Sequence, residues 1–331
     1  MSTAIAIRMT QPGDLRVLQP AEVVVSPPEA EEVRVRHTAI GVNFVDIYHR
    51  RGLYGLPELP SVLGVEAAGI VEALGSEVRG LAVGDRVAYA GLPVGGYATA
   101  RNIAAARLVP IPDEVSDTQA AAALLRGITA HMLFQYVRPI RAGDRILVHA
   151  AAGGLGQVLG QWGASLGARM IGTVGSEAKG QGARDKGYEE TIPYRQTDFV
   201  AEVLRLTDGQ GVDFAIDGIG GETLGKTLQV VRPFGLAASV GQVALNGNED
   251  TAMLPLNALG PYRSIGLARP GVIRFMSDPI RYREGAQAAL ARMAAGLAVD
   301  ISVTLPLEQA AKAHHLLETG QTAGAVILIP N

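Results

Sequence analysis

Residues 145–156, R-I-L-V-H-A-A-A-G-G-L-G, constrain this chain more than any other stretch. Ile146, Leu147 and Val148 form a short apolar run that ends in small residues and turns on Gly153 and Gly154 into a helical pattern. A strand that enters a helix through glycines leaves unpaired N–H groups and the positive end of the helix dipole facing a potential phosphate. Glycine also lets the backbone come close to it. From Leu155, the residues Val158, Leu159, Trp162 and Leu166 continue at helical spacing and give one buried stripe. Gly167 stops the helix, and residues 169–174 read as a second buried strand. Strand, turn, helix and strand within about thirty residues make one βαβ unit. Gly153, Gly154, Leu155 and Gly156 are therefore candidate cofactor-binding residues, favoured over a merely flexible glycine loop.

The same alternation continues on either side. Strands are expected at 145–149, 169–174, 190–192, 212–217, 236–240 and near 264–267, with helices at 155–166, 176–186, 198–207 and 221–231. Such a pattern argues for a parallel sheet covered by helices on both faces. The first 120 residues look different, with short strand candidates at 23–25, 33–38, 67–74, 86–89 and 104–108 and a further strand at the start. Val33, Val35 and His37 alternate with Arg34, Arg36 and Thr38, as in a half-buried sheet. Residues 43–50 suggest a short helix that Asn43 can cap, and Ser116 and Asp117 can cap an alanine-rich helix running toward Tyr136. The tail reads as helix 285–295, strand 301–305, helix 307–318 and strand 326–329.

Composition narrows the function. A chain of 331 residues, 48% hydrophobic, can bury two cores. A net charge of −3 offers no basic field for nucleic acid. No run approaches the roughly 18 apolar residues of a membrane span, and the start lacks the pattern of a signal peptide. The expected location is the cytoplasm. The chain has no cysteine, which removes disulfides, thiolate nucleophiles and cysteine-bound zinc. Its six histidines show no metal-ligand spacing, and no metal is expected.

Several separated motifs carry a resemblance. They are G-V-N-F-V-D-I-Y at 41–48, R-G-L-Y at 51–54, G-V-E-A-A-G-I-V at 64–71, A-V-G-D-R-V-A-Y at 82–89, H-A-A-A-G-G-L-G at 149–156 and A-R-P at 268–270. In this order they make the chain similar, over essentially its whole length, to the zeta-crystallin-like quinone oxidoreductases of the medium-chain dehydrogenase/reductase superfamily. The resemblance implies an α/β fold with a Rossmann doubly wound parallel sheet at 125–265. It also implies a GroES-like, mainly-β catalytic domain at 1–124, completed by a return segment at 266–331, and a homodimer. Zinc-dependent alcohol dehydrogenases of the superfamily carry Gly-His-Glu, the His being a ligand, where this chain has Gly64, Val65 and Glu66. Val65 cannot bind zinc, so an alcohol would lack its Lewis acid. A quinone or conjugated enone is already electrophilic and needs less help. The expected reaction is zinc-independent reduction of a quinone by NADPH, through hydride or single-electron transfer. An enoyl or alkenal reductase and a non-catalytic NADPH-binding protein are the alternatives.

Cofactor choice turns on T-V-G-S-E-A-K at 173–179. NAD-type sites place an acid at the end of the second strand, whereas a 2′-phosphate suits Ser176 and Lys179 after Gly175. In the alternative, Glu177 faces the ribose and Lys179 is merely solvated. The resemblance favours NADPH, with Lys179 and Tyr194 at its adenosine end. Some relatives add an arginine near the C-terminus where this chain has Thr319 and Gly320, which puts more weight on those two residues.

The resemblance also nominates Asn43, Tyr48 and Tyr54 as catalytic, Asn43 being a cofactor contact as well. Asn43 and Tyr48 can donate to a carbonyl oxygen that gains charge as hydride arrives. Read without it, Asn43 is a helix cap and Tyr48 a packing aromatic. Asp46 is expected to hold its neighbours in place. Tyr54 would wall the pocket, although Gly55 follows it where relatives often have proline. Thr129 in R-G-I-T is a cofactor contact. Gly241 and Gln242 follow a strand at the edge where ligands collect, with Val240 where relatives often have an aromatic. Arg269 is expected to close on the cofactor from the other lobe. His149 is read as packing at a strand end and not as a base.

Overall fold

The structure, a computed structural model, describes residues 2–245 and 256–330. The chain forms two compact units, one of Met1–Ile128 with Ile273–Asn331 and the other of Thr129–Val272.

The first unit opens with β1 (Ser2–Met9), β2 (Gln19–Val25) and β3 (Glu32–Val42). The helix α1 (Phe44–Arg51) follows, then β4 (Ser61–Val62), β5 (Glu66–Leu74) and β6 (Arg86–Ala90). β7 (Ala100–Ala104), β8 (Val109–Pro110) and the helix α2 (Asp117–His131) complete this part. Along β3, Val33, Val35 and His37 turn inward as their alternation predicts, and from Ala39 to Val42 every residue is buried. The strand expected at 104–108 is not formed. β7 ends at Ala104 and a single 3-10 turn, Ala105–Arg107, follows. The register of β7 on β3 ends at Ala104 opposite Glu32. Beyond it the Arg107 guanidinium, lying over the Tyr282 ring, donates to the carbonyls of Ala90 and Met276. These off-register acceptors hold the turn.

The second unit is regular. β9 (Arg145–Val148), α3 (Gly154–Ser165), β10 (Arg169–Val174), α4 (Glu177–Arg184) and β11 (Glu190–Pro193) form its first half. α5 (Phe199–Leu206), β12 (Val212–Asp217), α6 (Glu222–Gln229), β13 (Val231–Ser239) and β14 (Gly266–Ala268) form the second. All pairings are parallel, in the order β11-β10-β9-β12-β13-β14. Counted along the unit this is 3-2-1-4-5-6, the order of a Rossmann sheet, and it reverses between β9 and β12. Leu147, Ile171, Ile192, Val203, Ala215 and Leu228 pack in one core. Each buried leucine, isoleucine or valine among them contributes about 1.5–3 kcal/mol. Val231, expected to end a helix, instead opens β13.

The chain then returns to the first unit. α7 (Val272–Met276) and α8 (Pro279–Ala294) precede β15 (Ile301–Pro306), α9 (Ala310–Glu318) and β16 (Ala325–Ile329). α8 begins six residues before the expected start, at Pro279 rather than 285. The Asp278 carboxylate accepts from the Ile280 and Arg281 N–H groups, and proline suits the first helical position. β15 and β16 are parallel, and β16 pairs with β3, giving a sheet ordered β15-β16-β3-β5-β6-β8 with β7 on β3. Among the described residues no helix is long and apolar enough to cross a membrane.

Candidate active site

In the second unit, β9 runs into His149 and a turn in which Ala150 takes φ +55°, a left-handed conformation that costs an L-residue about 1–2 kcal/mol. Gly153 stands at the N-cap of α3 and has no side chain to accept from the first N–H groups, which leaves them for a ligand. Gly156 is sterically required, and Gly153 is tightly placed. A Cβ on Gly156 would lie 2.5 Å from both the Ala150 and Ala151 carbonyl oxygens, and one on Gly153 would lie 3.1 Å from that of Ala150. Gly153, Gly154, Leu155 and Gly156 thus form a narrow cradle at the ends of the central strands.

At the tip of β10, the Ser176 hydroxyl caps α4 by accepting from the Lys179 N–H at 3.4 Å. The Tyr194 hydroxyl stands 3.7 Å from where a Cβ of Gly175 would be. Gly175, Ser176, Lys179 and Tyr194 therefore gather at one strand end. Glu177 is bound to Arg184 at 3.0 Å, and its side chain is 66% exposed.

On the other side of the reversal, Asp217 ends β12 fully buried. One of its oxygens accepts from the N–H groups of Ile219 and Gly220 at 2.7 and 2.8 Å. Its second oxygen accepts from the Thr227 hydroxyl at 2.8 Å. His149 lies between Thr173, 2.9 Å from Nδ1, and Thr227, 2.8 Å from Nε2, with the Phe199 ring 4.9 Å away. Burial lowers its pKa, against a smaller raising effect of Asp217, so the imidazole is neutral with both nitrogens engaged. It ties the turn after β9 to β10 and to α6, which the sequence did not reveal; Asp217 and the glycines after it were the available signal. Gly241 packs so closely that a Cβ would meet the Gly218 carbonyl oxygen at 2.5 Å. Gln242 is buried and accepts from Arg269 at 2.8 Å. Arg269 belongs to this second unit, so it does not approach from the other lobe as expected; pairing of β13 with β14 brings it beside Gln242. Thr129, on α2, is buried.

In the first unit, α1 and the residues flanking it carry the other candidates. Tyr48 is 7% exposed and packs edge-on against Tyr54 with ring centroids 5.2 Å apart. Gly52, at φ +79°, ends the helix and turns the chain so that Leu53 and Tyr54 donate back to the Tyr48 carbonyl. Asn43 stands at the N-cap, but its amide nitrogen donates to Glu66 at 2.8 Å. Its backbone N–H donates to Asp46 at 2.9 Å. Asp46 also accepts from the Tyr97 hydroxyl, which lies 3.0 Å from His314 Nε2. Arg50 approaches His314 Nδ1 at 3.2 Å and pairs with Glu318 at 2.7 Å. Arginine can only donate, so His314 Nδ1 accepts, Nε2–H donates to Tyr97, and Tyr97 donates to Asp46. Burial raises Asp46 to about 7 and raises Glu66, whose shift the Arg126 guanidinium partly opposes. Asp46 thus holds its neighbours, through a network that reaches α9.

Among the described residues no group of three His, Asp or Glu side chains is placed to hold a metal ion. One unit thus carries a glycine turn with polar side chains at the neighbouring strand end, and the other a helix flanked by the Asn43 amide and bearing the Tyr48 phenol.

Comparison with known proteins gives the family. The Alcohol dehydrogenase GroES-like domain matches residues 29–113, and the Zinc-binding dehydrogenase family matches residues 186–328. A quinone oxidoreductase of Pseudomonas aeruginosa is 40% identical over 318 residues, covering 96% of this chain and 95% of the relative. The chain belongs to the quinone oxidoreductase family of the medium-chain dehydrogenases/reductases. A 2-haloacrylate reductase of a Burkholderia species is also similar, 38% identical over 93% of this chain and 94% of its own length. Among solved structures, the Escherichia coli quinone oxidoreductase complexed with NADPH matches with a TM-score of 0.92. It is 35% identical, over 99% of this chain and 100% of that one. The fold is the family's, a GroES-like module and a Rossmann sheet.

Proposed function

We propose that this protein is a zinc-independent NADPH:quinone oxidoreductase that works in the cytoplasm as a homodimer. The observation that carries the reading is the glycine cradle at the reversal of a 3-2-1-4-5-6 parallel sheet, with Ser176, Lys179 and Tyr194 at the next strand end. The residues present fit the cofactor. Gly153, Gly154, Leu155 and Gly156 would take its pyrophosphate, Ser176, Lys179 and Tyr194 its 2′-phosphate and adenosine, and Thr129, Gly241, Gln242 and Arg269 its nicotinamide side. NADPH supplies the hydride. Asn43 and Tyr48 donate to the acceptor oxygen as it gains charge, and Tyr54 walls the substrate. The absence of cysteine, with Val65 before Glu66, removes cysteine-bound zinc and a histidine ligand at this position, and so supports zinc independence. A quinone supplies its own electrophilicity, so positioning and charge stabilisation carry the catalysis.

Steady-state assays with 1,4-benzoquinone, 9,10-phenanthrenequinone and 2-alkenals, each with NADPH and NADH, test the reading. Quinone turnover favouring NADPH is expected. The similarity to a 2-haloacrylate reductase favours a second reading, reduction of conjugated carbonyls, and alkenal turnover far above quinone turnover would select it. Tight NADPH binding without turnover of any acceptor would point to a non-catalytic NADPH-binding protein.

Two variants probe the roles. Lys179→Ala should raise the NADPH KM about tenfold, the loss of one charge-assisted hydrogen bond, and leave the NADH KM nearly unchanged. Equal effects on both cofactors would contradict the phosphate role. Tyr48→Phe should lower kcat about tenfold with little change in NADPH affinity, as for loss of one donor to a developing oxyanion. Unchanged turnover would remove Tyr48 from that role.

A further inference from the structure

Glu66 opens β5 and is completely buried. Its two oxygens have different partners. Oε1 accepts from the Leu125 backbone N–H of α2 at 2.7 Å, and Oε2 accepts from Asn43 Nδ2 at 2.8 Å. The Arg126 guanidinium lies 3.8 Å from Oε2 and offsets the buried charge. Space is reserved for this arrangement at Gly41, where a Cβ would lie 2.6 Å from Oε2 and 2.1 Å from the Ala121 carbonyl oxygen. Burial of a charged carboxylate is costly, and nothing assigned to the site so far uses it.

The chemistry of the two bonds is directional. A backbone N–H only donates and a carboxylate only accepts, so Asn43 must turn its NH2 edge toward Glu66. One amide hydrogen is thereby committed and one remains. We infer that Glu66 is a positioning residue, whose carboxylate sets the orientation of the Asn43 amide and so the direction of the N–H left to meet the acceptor oxygen. This rests on the reading of Asn43 as a site residue given above.

An isosteric change isolates the effect. In Glu66→Gln, the Leu125 N–H still demands an acceptor, so Gln Oε1 must stay there and Gln Nε2 must face Asn43. Asn43 then has to present its oxygen, and the amide turns over. The inference predicts that Glu66→Gln lowers kcat about tenfold with NADPH KM nearly unchanged. In an Asn43→Ala background, where kcat is already reduced about a hundredfold, the same change should alter kcat less than twofold.

An equal loss from Glu66→Gln in both backgrounds would mean that Glu66 acts on the fold and not through Asn43, and would overturn the inference. If Asn43→Ala alone leaves kcat unchanged, the placing of Asn43 in the site is wrong and the inference falls with it. NADPH affinity by fluorescence titration and thermal melting establish that each variant is folded. Should Glu66→Gln not fold, Glu66→Asp carries the same cycle. It keeps a charge opposite Arg126 but draws the acceptor away from Asn43, so its kcat loss should likewise vanish in the Asn43→Ala background.

Discussion

Gly156→Ala is expected to raise the NADPH dissociation constant at least about tenfold, a loss of about 1.4 kcal/mol or more in binding. The added methyl would sit 2.5 Å from two carbonyl oxygens, those of Ala150 and Ala151, and neither can yield cheaply. Ala151 is tied to the Thr173 carbonyl at 3.0 Å, and Gly153 to that of Ala150 at 2.8 Å. Ala150 is already in the left-handed region. From the other side, the Tyr188 hydroxyl holds the Gly156 carbonyl at 2.7 Å. The loop must therefore open, moving the N–H groups of the cradle, and the fold should lose about 1–3 kcal/mol as for an overpacked core. Fluorescence titration with NADPH, together with thermal melting, measures both. Unchanged affinity would show that these N–H groups do not meet the cofactor.

The second large effect is on stability against acid. Burial holds His314 to about 3, with the Arg50 charge adding to the depression, and it holds His37 to about 4, against an ordinary value of 6.5. In the unfolded chain both take up protons below 6.5, while in the folded protein they stay neutral. Their contribution is complete above pH 6.5 and is lost as pH falls toward the folded values, at about 1.4 kcal/mol per pH unit each. Asp46 has the opposite sign. Raised to about 7, it is protonated in the fold where the unfolded chain would ionise, so it favours the fold increasingly as pH falls from 7 toward 4. Comparison of wild type with His314→Gln separates these contributions. Glutamine can still donate to Tyr97 and accept from Arg50 but cannot titrate. The difference in unfolding free energy between the two proteins should change by about 3 kcal/mol from pH 6.5 to 4.5, wild type losing more. Denaturant titrations at several pH values test this. Parallel curves would mean that His314 does not stay neutral in the fold.

How far these features were visible beforehand depended on whether they were local. The run from Arg145 to Gly156 announces itself because apolar periodicity and glycines lie side by side in the chain. The helix cap at Asp278 and Pro279 is equally local, but the apolar pattern of α8 is clearest further on and points to a later start. The strand expected at 104–108 was read from its apolar residues, but partners far along the chain, Ala90, Met276 and Tyr282, turn Arg107 aside. Asn43 stands at the N-cap of α1 as expected, but its further role depends on a distant partner. Its amide partner is 23 residues away on another strand, and no spacing rule reports that.

Local propensity, glycine placement and the absence of thiols were enough to establish a parallel α/β sheet with a glycine turn and to remove cysteine-bound zinc, since each acts within a few neighbouring residues. The strand order, the lobe to which Arg269 belongs, and the chains linking Glu66 to Asn43 and α9 to Asp46 emerged only on folding. Buried hydrogen bonds and charges are stabilised by whatever the tertiary packing brings within about 3 Å of them, and that proximity is a property of the folded chain.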